Sequence, residues 1–256
     1  MDQGLKVIGI IQARMGSTRL PGKILAPLAG RPLLQVLVER LRHAPAGPRV
    51  DEWWLATTEE AEDELTARWG EALGLRVFRG STDDVLSRFV GILRQTSAEW
   101  VVRVTADDPF MDGSTLAALL TQALRADEDV DILAESADAR TCPLGYVPQV
   151  ARARAIVEAE QAIPPSQPWH RSHVLTWTAA NGRFQAFEPP AAYAARPHWR
   201  WTVDTREDFE MAQRAFALLG AEWQSASYSR LCALFDALPE LAALNQDQVQ
   251  KAVSEG

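Results

Sequence analysis

The stretch LKVIGIIQARMGSTRLPGK, residues 5–23, decides the fold. Residues 5–11 are mostly apolar and rich in Val and Ile. Such a run reads as a strand buried on both faces, as in a parallel sheet. Residues 12–23 are polar and basic and contain two glycines. A loop of this kind after a buried strand lies where α/β proteins hold ligands, outside the carboxyl ends of the strands. Gly16 and Gly22 let the backbone approach a ligand closely. The loop N–H groups, from Gln12 and Ala13 onward, can form an anion nest. Ser17 and Thr18 add hydroxyl donors, and Arg14, Arg19 and Lys23 add the charge that a polyphosphate needs. The expected ligand is a nucleoside triphosphate.

Two familiar phosphate motifs are excluded. A P-loop has four residues between its glycines and Ser or Thr after the Lys. Here five residues separate Gly16 from Gly22, and Ile24 follows Lys23. The dinucleotide fingerprint G-x-G-x-x-G is absent.

Outward from this stretch, short apolar runs alternate with amphipathic ones. Pro32 suits a helix start, and Leu33, Leu34, Leu37, Val38 and Leu41 form its stripe. Strands are expected at residues 53–57, 75–78 and 99–104. Thr58 is the expected N-cap of a helix through residue 73, and Thr82 that of a helix from residue 83. A helix to about residue 126 follows Asp112, which reads as its cap. A strand at 130–133, a loop at 136–148, and helices at 151–161 and 170–180 come next. A strand at 200–203 and a helix at 206–219 follow, then a helical tail from residue 227, polar at its end. Residues 189–195 are the most linker-like. This alternation argues for a mostly parallel sheet with helices on both faces, in one α/β domain over residues 1–256 with a helical C-terminal segment from about 205. The polar segments 12–23, 79–84 and 105–112 should converge on one face.

Composition sets the limits. A hydrophobic fraction of 47% and a charged fraction of 23% are ordinary for a globular protein. The net charge of -8 gives no global basic surface for nucleic acid, so an anion site must be local, from Arg14, Arg19, Lys23 and Arg31. The two cysteines, Cys142 and Cys232, have no metal-ligand spacing and read as buried, reduced thiols. No stretch approaches a membrane span, and the apolar run near the N-terminus is too short for a signal-peptide core. A cytoplasmic protein is expected.

The run QARMGSTRLPGKIL, residues 12–25, resembles the signature of the CMP-sugar cytidylyltransferases, which activate acidic sugars such as sialic acid and 3-deoxy-manno-octulosonate. The nearest branch is the spore coat polysaccharide biosynthesis protein F type. RGSTDDVLSR at 79–88, RVTADDP at 103–109 with Asp112, WTVDTRED at 201–208, and Leu244-Asn245 with Lys251 resemble that branch's later motifs in order. The resemblance implies a nucleotide-diphospho-sugar-transferase-like, Rossmann-like fold. It implies CTP and a sugar-like acceptor as substrates, with Mg²⁺ as cofactor. Arg14 and Lys23 would hold phosphates, Ser81 and Arg88 would contact the nucleotide, and Asp107 and Asp204 would hold the metal. A homodimer is compatible with it, although no heptad or patch marks an interface.

Read as residues alone, several of these positions keep a second meaning. Asp107 could cap a helix near Pro109, and Asp204 could cap the helix from Thr205. Asp108 reads as a solvated partner of Asp107. Ser81 could be a turn residue and Arg88 a surface helix charge, with Thr57 nearby. His173 could contact substrate, shuttle a proton or simply pack. The chain departs from the family's P-x-G-L-D-V-E segment at Val147 and Gln149, and from its R-E-H-V at Ser172, which opens the acceptor side. A glycosyltransferase using a nucleotide sugar, or a nucleotide binder without catalysis, are the rival functions.

Overall fold

The first strand, β1 (Val7–Gln12), is buried on both faces and lies inside the sheet, with a parallel strand on each side. Its side chains alternate. Val7 and Ile11 pack with Leu34, Leu37, Val38 and Leu41 on one side; Ile8 and Ile10 pack with Leu86, Phe89 and Ile156 on the other. Burying each such side chain contributes roughly 1.5–3 kcal/mol, so the strand is held from above and below. The structure is a computed structural model and describes residues 6–43 and 46–250. Leu5 and Lys251, named above, lie outside the described residues.

After β1 and the loop come two-residue strands β2 (Pro27–Leu28) and β3 (Arg31–Pro32), which pair antiparallel, and helix α1 (Leu33–Arg42). Next come β4 (Glu52–Thr58), α2 (Glu64–Ala72), β5 (Arg76–Gly80), α3 (Val85–Leu93), β6 (Trp100–Thr105) and α4 (Gly113–Ala123). The middle of the chain adds β7 (Ile132–Ala134), β8 (Gln149–Arg152), α5 (Ala153–Ala162), α6 (Trp169–His173), α7 (Thr176–Asn181) and β9 (Phe184–Ala186). Helices α8 (Arg206–Leu219), α9 (Tyr228–Ala237) and α10 (Pro239–Ala243) follow.

The seven-stranded sheet has the order β5-β4-β1-β6-β8-β7-β9. Strands β5, β4, β1 and β6 are mutually parallel, and β8 runs against both its neighbours. The chain leaves β1 toward β4 on one side and returns to β6 on the other. The switch point of the sheet is therefore the β1–β6 seam, where Gln12 pairs with Thr105. Open α/β sheets place ligands at such a crevice. The mostly parallel sheet read from the sequence is present.

Several boundaries differ from the sequence reading. Thr58 ends β4, and α2 starts six residues later, after a 3-10 turn at Ala61–Asp63. Helix α3 starts at Val85 and is capped by Asp84, which accepts from the Ser87 N–H; Thr82 instead donates to Glu60 (3.0 Å). Residues 170–180 form two helices, because Val174 adopts φ 57° between them. Strand β8 takes the residues expected to open helix α5, and β9 was not expected at all. Residues 200–203 make only an isolated bridge, Leu144 with Arg200, because their N–H groups go to loop carbonyls: Trp201 to Leu144 (2.8 Å) and Val203 to Asp107 (2.8 Å). Asp112 caps α4 as expected, accepting from Ser114 and Thr115 N–H groups at 2.8 Å each.

A second core fills the space under this segment. Trp201 stacks on Phe110 at 5.3 Å, with Phe235, Tyr146 and Tyr228 around it. Cys142 and Cys232 are free and buried here, and burial pushes both thiols up, so they stay protonated. This aromatic block fixes residues 200–204 against the loop after β6.

Candidate active site

The loop after β1 folds around Met15. The Met15 carbonyl accepts from Ser17 N–H (2.8 Å) and from Gly22 N–H (3.0 Å), which closes the loop on itself. Gly22 has φ 73°, a left-handed conformation that favours glycine. The Met15 N–H donates to Asp63 Oδ1 (2.8 Å). Asp63 is buried and also accepts from the hydroxyls of Thr66 (3.1 Å) and Thr58. It is thus a clamp between α2 and the loop. Asp63→Ala leaves three donors short of an acceptor and is expected to cost about 2–3 kcal/mol, seen as a lower urea midpoint with an unchanged slope.

A cleft of about 740 Å³ opens at the β1–β6 seam. The loop supplies Gln12, Ala13, Arg14, Ser17, Thr18, Arg19 and Lys23 to its wall. Thr105, Asp107 and Asp204 also line it, as do Trp169, Arg171, Ser172 and His173 from the α6 segment. Gly16 and Ser81 are not among the lining residues; the Ser81 hydroxyl accepts from Asp84 N–H (3.1 Å) within the turn before α3. Arg31 is elsewhere, paired with Glu39 (3.4 Å) and set over the Trp223 ring. Three of the four cations grouped by sequence therefore share the cleft.

Arg88 also lines the cleft and is buried rather than on the surface, because α3 is apolar on nearly every side. One Nη lies 3.5 Å from the Ala56 carbonyl, and among the described residues Nε has no hydrogen-bond partner. Burial and then the nearby Arg14 charge pull its pKa down to about 10, which still leaves it cationic at neutral pH. Buried Thr57, at the end of β4, likewise has an unpartnered hydroxyl among the described residues.

Lys23 is the centre of the site. It is buried, and its Nζ lies 2.5 Å from Asp107 Oδ2 and 2.8 Å from Asp204 Oδ1. Burial alone would lower its pKa, but the Asp107 charge and then the Asp204 charge outweigh this and hold it above the ordinary value. Asp204 also takes Arg19 (3.1 Å) and Arg200 (2.5 Å) on its other oxygen. Burial would raise Asp204, but the charges of Lys23, Arg19 and Arg200 hold it below the usual carboxylate range. The cap of α8 is Thr205, in a capping box with Asp208, so Asp204 is free of that duty.

Asp108 is not a solvated partner. It is buried, and the Thr105 hydroxyl donates to it. Burial first, then the Asp107 charge, push its carboxyl up to about 8. In the unfolded chain it ionises near pH 3.9. From there to about pH 8 the native state holds a proton that the unfolded state has released, so this group lowers stability as pH rises through that window. Asp108→Asn is expected to melt above the parent protein at pH 8, with the gap closing toward pH 4. Thermal melts across that range check it, and a gap that widens at low pH contradicts it.

Two of the three departures, Val147 and Gln149, are not among the residues that line the cleft. Tyr146 is fully buried and donates its hydroxyl to Asp112. Val147 packs between two cores. Gln149 accepts from Arg103 (2.6 Å), whose Nε reaches Gln12 (3.1 Å). Only Ser172 of the three departures lines the cleft. Sequence reasoning missed Asp63, Arg103, Arg171 and Arg200. Arg103 carried a signal, a lone charge inside an apolar strand; Arg171 carried none that announced its two bonds to Asp84 (2.8 and 2.7 Å).

Residues 8–164 match a family model described as cytidylyltransferase. The chain is 32% identical over 240 residues to the spore coat polysaccharide biosynthesis protein SpsF of Bacillus subtilis, covering 92% of this chain and 96% of that protein. It is 32% identical over 125 residues, 48% of each chain, to a 3-deoxy-manno-octulosonate cytidylyltransferase of Syntrophobacter fumaroxidans. A solved cytidylyltransferase from Leptospira borgpetersenii superposes with a TM-score of 0.84 at 26% identity, covering 97% of this chain and all (100%) of that one. Among the described residues no helix is long and apolar enough to cross a membrane.

Proposed function

The chain belongs to the cytidylyltransferase family, and from that premise we propose that it transfers CMP from CTP to an oxygen of an acidic sugar, releasing pyrophosphate, for a polysaccharide or surface glycan. The observation that carries the reading is Lys23, which joins the anion-binding loop to Asp107 and Asp204 at the switch point of the sheet.

In this reading Arg14, Arg19 and Lys23 hold the triphosphate, with loop N–H groups and the Ser17 and Thr18 hydroxyls as further donors. Arg88 and Thr57 offer buried polar atoms for the nucleotide. The acceptor oxygen attacks the α-phosphorus, the bond to the bridging oxygen breaks, and pyrophosphate leaves with that bond's electrons. The protein contributes mainly by positioning and by neutralising charge.

Magnesium fits the donor set. Asp107 and Asp204 are hard oxygen ligands that converge on one point, the Lys23 ammonium. Among the described residues no cluster of three or more His, Cys, Asp or Glu forms a metal cage. That suits Mg²⁺, which takes one or two carboxylates together with substrate phosphates. When bound, the ion would neutralise phosphate charge and polarise the α-phosphate.

A non-catalytic binder is less well supported, since two of the three departures that favoured it, Val147 and Gln149, do not line the cleft. The test is a pyrophosphate-release screen of the four nucleoside triphosphates against acidic sugars. Release with CTP and one such sugar is expected. Turnover of a nucleotide sugar without pyrophosphate would make the protein a glycosyltransferase. CTP binding with no release from any acceptor would make it a binder.

A further inference from the structure

Asp204 sits at the start of a polar network that ties the cleft, which Gln250 also lines, to the C-terminal part of the molecule. Its Oδ2 accepts from Arg200 Nη2 (2.5 Å). The same guanidinium donates through Nε to Asp208 Oδ1 (3.0 Å) and through Nη1 to Gln250 (2.7 Å). Asp208 is fully buried, and its carboxylate accepts from several donors. Asn245 Nδ2 reaches its Oδ1 (2.8 Å), and the N–H groups of Asp204 and Thr205 reach its Oδ2 (3.0 Å each). Asn245 also donates to the Arg200 carbonyl (3.0 Å) and is itself buried.

We propose that Arg200 is a positioning residue that fixes the rotamer of Asp204 so that its Oδ1 faces the cleft, with Asp208 and Asn245 fixing Arg200 in turn. The inference rests on the reading that Asp204 is a metal carboxylate. Three features carry it. A guanidinium is a rigid planar fork, so bonds to Asp208 and Asp204 together set the direction of both. Asp208 neutralises the Arg200 charge locally, so the role of Arg200 is orientation more than added charge. The backbone N–H of Asp204 is tied to the same Asp208, so main chain and side chain of Asp204 are held from one buried anchor. Outer partners of metal-binding carboxylates act in this way, and altering them typically weakens metal affinity or activity by ten- to a hundred-fold.

Arg200→Lys keeps the charge and loses the fork, so its effect reports geometry. The probe is Mn²⁺, its free concentration followed by electron paramagnetic resonance, with a non-hydrolysable CTP analogue present. The Mn²⁺ dissociation constant is expected to rise about tenfold, while the analogue without metal binds within roughly threefold of the parent protein. A loosened fold alone would weaken both together. Asn245→Ala, which leaves the Arg200–Asp204 bond in place, is expected to shift Mn²⁺ in the same direction by less, and it carries the test if Arg200→Lys does not fold. Asp204→Asn separates the two claims. If it weakens Mn²⁺ and Arg200→Lys does not, the positioning role is overturned and the metal reading stands. If Asp204→Asn leaves Mn²⁺ binding unchanged, both fall.

Discussion

Lys23→Ala is expected to lower kcat for pyrophosphate release from CTP by roughly a hundred- to a thousand-fold, the usual cost of removing one preorganised charge from a site of this kind. The expectation follows from three facts about one ammonium group. It is buried, so its charge acts with little screening. It contacts Asp107 and Asp204 together, so its removal leaves two neighbouring carboxylates without the cation between them. It belongs to the loop that would carry the triphosphate. The loss should fall more on kcat than on KM, because Arg14 and Arg19 remain to bind the phosphates. Lys23→Arg should rescue little: a planar fork does not place one nitrogen between two carboxylates. Steady-state assays with saturating Mg²⁺ check this. A kcat within threefold of the parent protein would remove Lys23 from the phosphate site.

Gly145→Ala carries the second large effect, and it acts on stability. Gly145 adopts φ +85°, and a Cβ there would lie 2.5 Å from Asp108 Oδ1, 2.7 Å from Thr202 Cβ and 2.8 Å from Thr202 N. The left-handed conformation costs roughly 1–2 kcal/mol for a residue with a Cβ. The clash adds about 1–3 kcal/mol, because Thr202 is part of a segment tied to the Leu144 and Asp107 backbones and cannot retreat freely. A total of about 2–5 kcal/mol is a large part of the roughly 5–15 kcal/mol that holds a typical domain. Gly30→Ala is the control: it has φ +75° with nothing within 4 Å, so it should show the conformational cost alone. Chemical denaturation of the two variants separates the terms. Equal losses would mean that the space around Gly145 is soft. Any Gly145→Ala protein that folds should also be less active, since Asp108 and Thr202 flank Asp107 and Asp204 in sequence.

These residues show what could be read in advance. Strands β1, β4 and β6 were visible because strands buried on both faces need continuous apolar runs. The loop after β1 was visible because its glycines, hydroxyls and cations fall together within twelve consecutive residues. Strand β8 was hidden: Gln149 to Arg152 is short and runs straight into α5, and its last two residues are read as the start of that helix when no partner strand is in view. The break at Val174 was hidden because a β-branched residue gives no local cause for φ 57°; its surroundings impose it.

The sequence by itself determined the alternation of strand and helix, the position of the polar, basic loop after β1, and the list of Asp107, Asp204 and Lys23 as candidates. Those depend on local pattern and on residue type. Only the tertiary structure decided that Lys23 meets both carboxylates, that Asp108 is buried, and that Val147 and Gln149 do not line the cleft. Residues as distant as 23, 107 and 204 meet because the strand order reverses at the parallel β1–β6 seam, and because an aromatic core pins residues 200–204 against the loop after β6. Strand order and core packing are properties of the whole chain, and no window of sequence contains them.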